Sequence, residues 1–173
     1  TLSSVSIASN NSTTTLAKVS NVVTLTFTAS ETIGTPVVTF QSGGAAITDT
    51  SITYASSGNV WTAAYTANAS DTEGSVTYSI AFSDSAGNAG TAVTSGSGSV
   101  TFDKTAPTLS SVSIASNNST PTLAAVGDNV TLTFTASETI STPVVTFVSG
   151  GAAITDTSVT YVNTSGNTWT AVY

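Results

Sequence analysis

The chain has 173 residues, nine Asp and Glu against two Lys and Arg, and a net charge of −7 at neutral pH. Because it contains no Cys and no His, it has no thiol or imidazole nucleophile and no zinc site built from those ligands. Two cationic side chains cannot neutralise a phosphate backbone, which argues against nucleic-acid binding. No apolar run approaches the roughly 20 residues of a membrane-spanning helix.

Apolar and hydroxyl side chains alternate along several segments, which is the pattern of half-buried β-strands. Val23, Leu25 and Phe27 alternate with threonines, for example. Clusters of Asn, Ser and Gly lie between these runs and predict turns. In chain order the pattern predicts strands at 2–8, 22–30, 36–41, 51–55, 59–66, 75–83 and 97–103. Such a series of short strands predicts an all-β antiparallel sandwich of the immunoglobulin (Ig) type, with about seven strands.

An internal repeat determines the domain organisation. Residues 1–54 and 108–161 align without a gap at an offset of 107, with eight differences that leave 46 of 54 positions identical. After one inserted residue, the alignment continues to Tyr173. We therefore predict tandem Ig-like units: a complete repeat at 1–104, a linker at 105–107 and a truncated second repeat at 108–173.

Three segments carry a resemblance to a known family. The run Asp103-Lys104-Thr105-Ala106-Pro107-Thr108 resembles the linker of bacterial Ig-like tandem repeats. The strand Val130-Thr131-Leu132-Thr133-Phe134-Thr135-Ala136-Ser137-Glu138 is similar to a strand of the same repeats. Phe82-Ser83-Asp84-Ser85-Ala86-Gly87-Asn88 resembles the turn before their last strand.

The resemblance implies a structural repeat of a large secreted or surface-displayed bacterial protein, such as an adhesin stalk or an extracellular filament. It places the chain outside the cell or at its surface. Two alternatives stay open, an Ig-like module of a phage or virion fibre and a ligand-binding adhesin domain. Neighbouring repeats or further copies of the chain are the expected partners.

Carboxylates are the charged groups through which the chain could bind a ligand. In an Ig-type sandwich, Asp71, Glu73 and Asp103 are expected at the end of the first repeat that faces the second, where Glu138 is presented. Calcium takes six to eight oxygen ligands in flexible geometry, which loop carboxylates and carbonyls supply. These four residues are therefore candidate ligands of an interdomain calcium ion. The alternative is that they keep a Thr-rich surface soluble and its sheet edges unpaired.

No arrangement of residues indicates catalysis. Serine lacks the motif of a nucleophile elbow, and carboxylates at opposite ends of a sandwich do not form a hydrolytic cleft. Trp61 and Trp169 could stack on a sugar, but each lies in phase with inward-facing residues, which favours packing in the core. We expect a protein that is not an enzyme and for which a carbohydrate or cell-surface ligand stays open.

The second repeat ends at Tyr173, where the first still has two apolar strands to come. A sandwich without these strands exposes the inner face of the remaining ones. Two explanations are open. Residues 1–173 could be a window on a longer repeat array, as the initial Thr also suggests, or a neighbouring copy could donate the missing strands.

Overall fold

Alternating apolar and Thr residues form strands in both halves of the chain. The computed structural model describes residues 1–156 and 158–173, and it divides into two compact units, Thr1–Lys104 and Thr105–Tyr173. The described residues form no helix, and so none that could cross a membrane.

The first unit is described throughout and contains nine strands. They are Leu2–Ser9 (β1), Leu16–Ala17 (β2), Val22–Ala29 (β3), Val37–Ser42 (β4), Ala45–Ala46 (β5), Thr53–Ser57 (β6), Val60–Thr66 (β7), Gly74–Ala81 (β8) and Thr101–Phe102 (β9).

These strands form two sheets, and the strand order identifies the fold. One sheet has the order β1-β3-β7-β6, and the other has the order β2-β9-β8-β4-β5. All pairs are antiparallel except β2 with β9, which is parallel. The first sheet corresponds to strands A, B, E and D of an immunoglobulin domain, and β9, β8, β4 and β5 correspond to G, F, C and C′. The predicted Ig-like β-sandwich is therefore confirmed.

The core lies between the two sheets and is filled by the alternate residues of each strand. In β3, Val23, Leu25 and Phe27 are fully buried, while the threonines between them are half-buried. Phe27 is opposite Trp61 and Val23 is opposite Tyr65 across the β3–β7 pair. Full burial of one such apolar side chain contributes roughly 1.5–3 kcal/mol, so the alternation fixes which side of the sheet faces inward.

The segment predicted as a strand at 97–103 is regular only at its end. Thr101–Phe102 is a strand, and before it Ser97 forms a single parallel bridge to Ser6. Gly98 has a φ of +76°, and a Cβ there would overlap the carbonyl oxygen of Ile7. Glycine therefore permits a close approach to β1 at the expense of regular strand geometry. The strands β2 and β5 were not predicted, because two residues are too few to show an alternating pattern.

The second unit repeats one sheet of the first. Its strands are Leu109–Ser116 (β10), Val130–Ala136 (β11), Val148–Ser149 (β12), Ala152–Ala153 (β13), Thr160–Ser165 (β14) and Thr168–Val172 (β15). The order β10-β11-β15-β14 reproduces the first sheet, and β12 with β13 forms a separate hairpin. The register is also kept, since Phe134 is opposite Trp169 as Phe27 is opposite Trp61. The second unit, as described, is thus an incomplete sandwich.

Candidate functional site

Asp71 lies in the loop before β8 and is a structural residue of the first unit. Its side chain is buried, with 1% of its surface exposed. Oδ1 accepts hydrogen bonds from the backbone N–H and the hydroxyl of Thr48, both at 2.8 Å, and Oδ2 accepts one from the Asn68 N–H at 2.8 Å. Hydrogen bonds to a charged acceptor contribute roughly 1.5–3 kcal/mol each. Asp71 therefore ties the loop after β5 to the loop before β8.

Lys104 joins the same loop to the end of the first unit. Its backbone N–H donates to Glu73 Oε1 at 2.8 Å, and its Nζ donates to the carbonyl oxygens of Ala69 at 3.0 Å and Asp71 at 2.8 Å. Three of the predicted ligands, Asp71, Glu73 and Asp103, are thus near this lysine in the fold or in the sequence. The cation at the loop before β8 is the ammonium group of Lys104. A calcium ion would have to displace it or use other oxygens.

Glu138, the fourth predicted ligand, belongs to the second unit. Its side chain is half-buried, and its Oε1 is buried without a hydrogen-bond partner. Over residues 1–156 and 158–173, no three acidic side chains are grouped as metal ligands. Interdomain calcium stays a prediction that solution measurements must decide.

The two tryptophans occupy equivalent register positions. Trp61 is half-buried and packs against the core of the first unit. Trp169 is also half-buried and occupies the equivalent register position in the second. A half-buried ring that packs against the core offers less of its face to a sugar than an exposed one would.

One apolar surface distinguishes the second unit from the first. Val5 is 8% exposed and Ile7 is 5% exposed, but the equivalent Val112 and Ile114 are 58% and 62% exposed. Both pairs occur in an identical run of sequence, Leu-Ser-Ser-Val-Ser-Ile-Ala-Ser. The difference in exposure therefore comes from what packs on the strand.

In the first unit the covering element is the segment 74–103. The Thr101 N–H donates to the Thr15 carbonyl at 2.9 Å, and the Asp103 N–H donates to the Ala17 carbonyl at 2.9 Å. The segment also supplies four buried apolar side chains to the core: Val76, Ile80, Val100 and Phe102. It thus closes the sandwich with both backbone hydrogen bonds and apolar contacts.

The corresponding place in the second unit is a cleft of about 370 Å³. This cleft and the exposed Val112 beside it form an apolar surface, which we name the open face. Its residues are Val112, Ile114, Leu123, Ala124, Val130 and Tyr173. The volume of the cleft lies in the range of about 300–1,000 Å³ that is usual for ligand sites. Most of its lining is apolar, like the surface that the segment 74–103 covers in the first unit.

The loop that borders the open face keeps the side-chain hydrogen bonds of its counterpart in the first unit. Asp128 Oδ2 accepts hydrogen bonds from Asn118 Nδ2 at 2.8 Å and from the Ala125 N–H at 2.7 Å. In the first unit Asn21 Oδ1 accepts the two corresponding bonds. The Ala125 N–H and then the Asn118 amide hold the pKa of the Asp128 carboxyl below its ordinary value. The carboxylate of Asp128 thus takes the place of the Asn21 amide oxygen in this loop.

Comparisons with known proteins give a distant similarity in structure alone. No protein-family model matches the chain, and neither does any curated protein. Among solved structures, the chain is similar to titin Ig tandem domains, with 16% identity and a TM-score of 0.29 over 91% of this chain and 74% of that one. It is also similar to the titin domains z1z2 in complex with telethonin, with 15% identity and a TM-score of 0.31 over 91% and 75% of the two chains.

Proposed function

We propose that this chain is a structural repeat segment of a large secreted or surface-displayed bacterial protein, where it acts as a spacer and assembly module. One observation carries the proposal. Two units in tandem share 46 of 54 aligned residues and the same strand order in their first sheet. Repetition of a domain that carries its own core is the way in which extended proteins gain length.

The linker suits this role. It consists of Thr105, Ala106 and Pro107. Proline fixes its own φ and restricts the residue before it to extended conformations. A three-residue linker of this composition limits the bending of an array more than a glycine linker would. Each added repeat then adds nearly the same length.

The surface chemistry also suits an exposed array. Hydroxyl side chains face outward on the strands, and acidic residues outnumber basic ones by nine to two. A net negative charge opposes non-specific association. The location outside the cell is supported by the resemblance to bacterial Ig-like repeats, and no catalytic group is required for the role.

Arrays of one, two and four copies of residues 1–107 test the proposal. Small-angle scattering should give a maximum dimension that grows nearly in proportion to the number of copies. Stretching of single molecules should give equal extensions per repeat, each of about 340–370 Å less the length of the folded unit, since 104 residues extend to roughly 3.3–3.6 Å each. The matched control replaces Ala106 and Pro107 by Gly in every linker, which should shorten the mean dimension but leave the extension per repeat unchanged. A dimension that does not grow with copy number would contradict the spacer role.

A further inference from the structure

We propose that β6 of the first unit is a pairing edge, at which two copies of this chain join their sheets in antiparallel orientation. The partner is the same strand, Thr53–Ser57, of a second copy. The inference rests on the assembly role within the proposed function and adds to it the surface and the partner. The strand belongs to the first unit, all of which the structure describes.

One side of β6 has no backbone partner among residues 1–104. The strand is the last in the order β1-β3-β7-β6, and its residues pair with β7 alone. In an antiparallel strand, alternate residues direct their N–H and C=O groups to one neighbour, and the others direct them to the opposite side. Within the first unit, β6 therefore presents a row of free donors and acceptors, which is the template that a further strand requires.

The other edges of the first unit are protected from pairing. β1 is irregular at Ser4, which has a φ of +49°, and its outer side is occupied by Ser97, whose N–H donates to the Val5 carbonyl at 2.8 Å. The second sheet ends in β2 and β5, which have two residues each. Irregular and very short edge strands are common protections against edge-to-edge association. β6 has five residues, no register shift and neither Lys nor Pro, so it lacks these protections.

The equivalent strand of the second unit carries a protection that β6 lacks. The one insertion in the aligned repeats falls here, where Tyr161-Val162-Asn163-Thr164-Ser165 replaces Tyr54-Ala55-Ser56-Ser57. The register of β14 against β15 shifts between Asn163 and Ser165, and Asn163 Nδ2 donates to the Gly166 carbonyl at 2.9 Å. A bulge of this kind bends an edge strand and interrupts pairing. The two units therefore offer a regular edge and a bulged edge at the same place in the sheet.

The sequence of β6 is complementary to itself in antiparallel orientation. When Ala55 lies opposite Ala55 of the second copy, all five residues of the strand are paired, with Thr53 opposite Ser57. These three side chains are exposed and lie on the same side of the sheet. Hydroxyl pairs across strands stabilise a sheet. Tyr54 lies on the other side, where its hydroxyl accepts from the Val38 N–H at 2.9 Å, so pairing leaves this contact with the core intact.

Charge favours the antiparallel orientation. No residue between positions 50 and 70 is charged, and Asp49 is the nearest charge before the strand. Its Oδ1 accepts from the Ser51 N–H and its Oδ2 from the Thr66 N–H, both at 2.8 Å, which holds the carboxylate at one end of β6. Parallel pairing would place two such carboxylates side by side. Antiparallel pairing separates them by the length of the strand, roughly 17 Å, which is about twice the Debye length at physiological salt.

A single pair of these edges gives a weak interaction. Five paired residues on each side bury less than the roughly 1,200–2,000 Å² of a stable interface. In an array, a first pair would hold further edges of the same two partners close together, so that each later pairing becomes intramolecular. Edge pairing therefore suits lateral contact between arrays, and its detection in one chain requires that the pair be trapped.

A disulfide trap in the full chain tests the proposal, because the chain has no Cys of its own. Directly opposite residues of antiparallel strands have Cα atoms about 4.5–5.5 Å apart, which is within the range of disulfides. Ala55→Cys should therefore form a dimer under mild oxidation by copper phenanthroline in air. Thr53→Cys should not, since its two copies would lie roughly 13 Å apart along the strands. A mixture of Thr53→Cys and Ser57→Cys chains should give the mixed dimer.

Two further variants are the matched controls. Val162→Cys places a thiol at the equivalent, exposed position of the bulged β14 and should cross-link roughly tenfold more slowly than Ala55→Cys. Ala55→Lys, added to both chains of the Thr53→Cys and Ser57→Cys mixture, places like charges directly opposite each other and should reduce the mixed dimer by a similar factor. Urea unfolding followed by Trp61 emission, with Trp169→Phe, checks that these changes at exposed positions leave the first unit folded.

Three outcomes would overturn the proposal. Equal cross-linking of Ala55→Cys, Thr53→Cys and Val162→Cys would indicate random collision, and preferential cross-linking of Thr53→Cys to itself would indicate parallel strands. A mixed dimer that Ala55→Lys does not reduce would indicate contact without strand pairing. The spacer role is tested separately by the dimensions of arrays, so dimensions that grow with copy number while β6 fails to pair would leave that role in place.

Discussion

The two units place nearly the same sequence in two surroundings, and the comparison separates local from long-range causes of structure. The β1–β3 register recurs in β10–β11, including the irregularity at Ser4 and Ser111, which both have a φ of +49°. Burial does not recur, because no segment among the described residues covers Val112 and Ile114 as 74–103 covers Val5 and Ile7. Strand pairing in this sheet is therefore determined by the first 66 residues of the repeat, whereas the core requires the rest.

The two-residue strand β2 shows the same dependence. Leu16–Ala17 is a strand because it pairs with β9. The equivalent Leu123 and Ala124 form no strand, although the Leu123 N–H keeps its hydrogen bond to Thr120 at 2.9 Å. This turn therefore forms without a paired strand. In the first unit, pairing with β9 adds the backbone hydrogen bonds that make Leu16–Ala17 a strand.

The largest expected contrast comes from removing the same side chain from both units. Ile7→Ala should lower the unfolding free energy of the first unit by about 2–5 kcal/mol, as for a buried Ile. Ile114→Ala should change that of the second by about 0.5 kcal/mol or less, since the side chain is already exposed. Urea unfolding followed by Trp61 emission with Trp169→Phe, and by Trp169 emission with Trp61→Phe, separates the two units. Equal losses would show that the second unit is closed in solution.

A smaller contrast is expected at the turn after β4. Gly43 and Gly150 have φ values of +56° and +59°, so alanine should cost both about 1–2 kcal/mol of backbone strain. In the first unit the added Cβ would also overlap the carbonyl oxygen of Glu73, whereas at Gly150 nothing lies within 4 Å. Gly43→Ala should therefore cost a further 1–3 kcal/mol or so from overpacking. Thermal unfolding of the two variants checks this, and similar losses would refute the proposed packing of the turn on the loop before β8.

Asp71→Asn should have the next largest effect. The amide keeps the shape of the carboxylate but presents an NH₂ group to one of three N–H or O–H donors, from Thr48 and Asn68. An unsatisfied buried donor costs about 1–3 kcal/mol. Glu31→Gln, an exposed acidic position in the same unit, is the control and should stay within about 0.5 kcal/mol. An equal effect of both changes in urea unfolding would argue against a special role for Asp71.

The sequence alone predicts most of this fold and part of the candidate sites. The strands that alternate apolar and Thr residues, such as Val22–Ala29, were predicted to within one or two residues because the pattern is local. The spacing also singled out Asp71 and Glu73, but not their contacts. Apart from the bond from Asn68 to Asp71, the hydrogen bonds described for them run to Thr48 and Lys104, which are more than 20 residues away in the chain. No short-range pattern encodes such pairs.

Acid should loosen the loop beside the open face in a way that the first unit does not share. The Ala125 N–H and the Asn118 amide lower the pKa of the Asp128 carboxyl. The ionised carboxylate is therefore more stable in the folded loop than in the unfolded chain. The stabilisation is present above the ordinary value of 3.8 and is lost as pH falls through the lower pKa of the folded state. The Ala125 amide resonance should report this titration. Asp128→Asn, which copies Asn21, should abolish it, and a titration that persists would assign it to another group.

Calcium should have the smallest effect of all on the first unit, because Lys104 already donates to the carbonyls of its terminal loop. Since 1 kcal/mol moves the melting temperature of a domain of this size by roughly 4–8 °C, we expect a shift below about 2 °C between calcium and excess chelator. A larger rise that disappears in both Asp103→Ala and Glu138→Ala would establish an interdomain calcium site. Lys104→Ala distinguishes the remaining cases. If calcium raises the melting temperature of this variant but not that of the original chain, calcium and the ammonium group compete for the same oxygens. The lysine would then take the place of the metal.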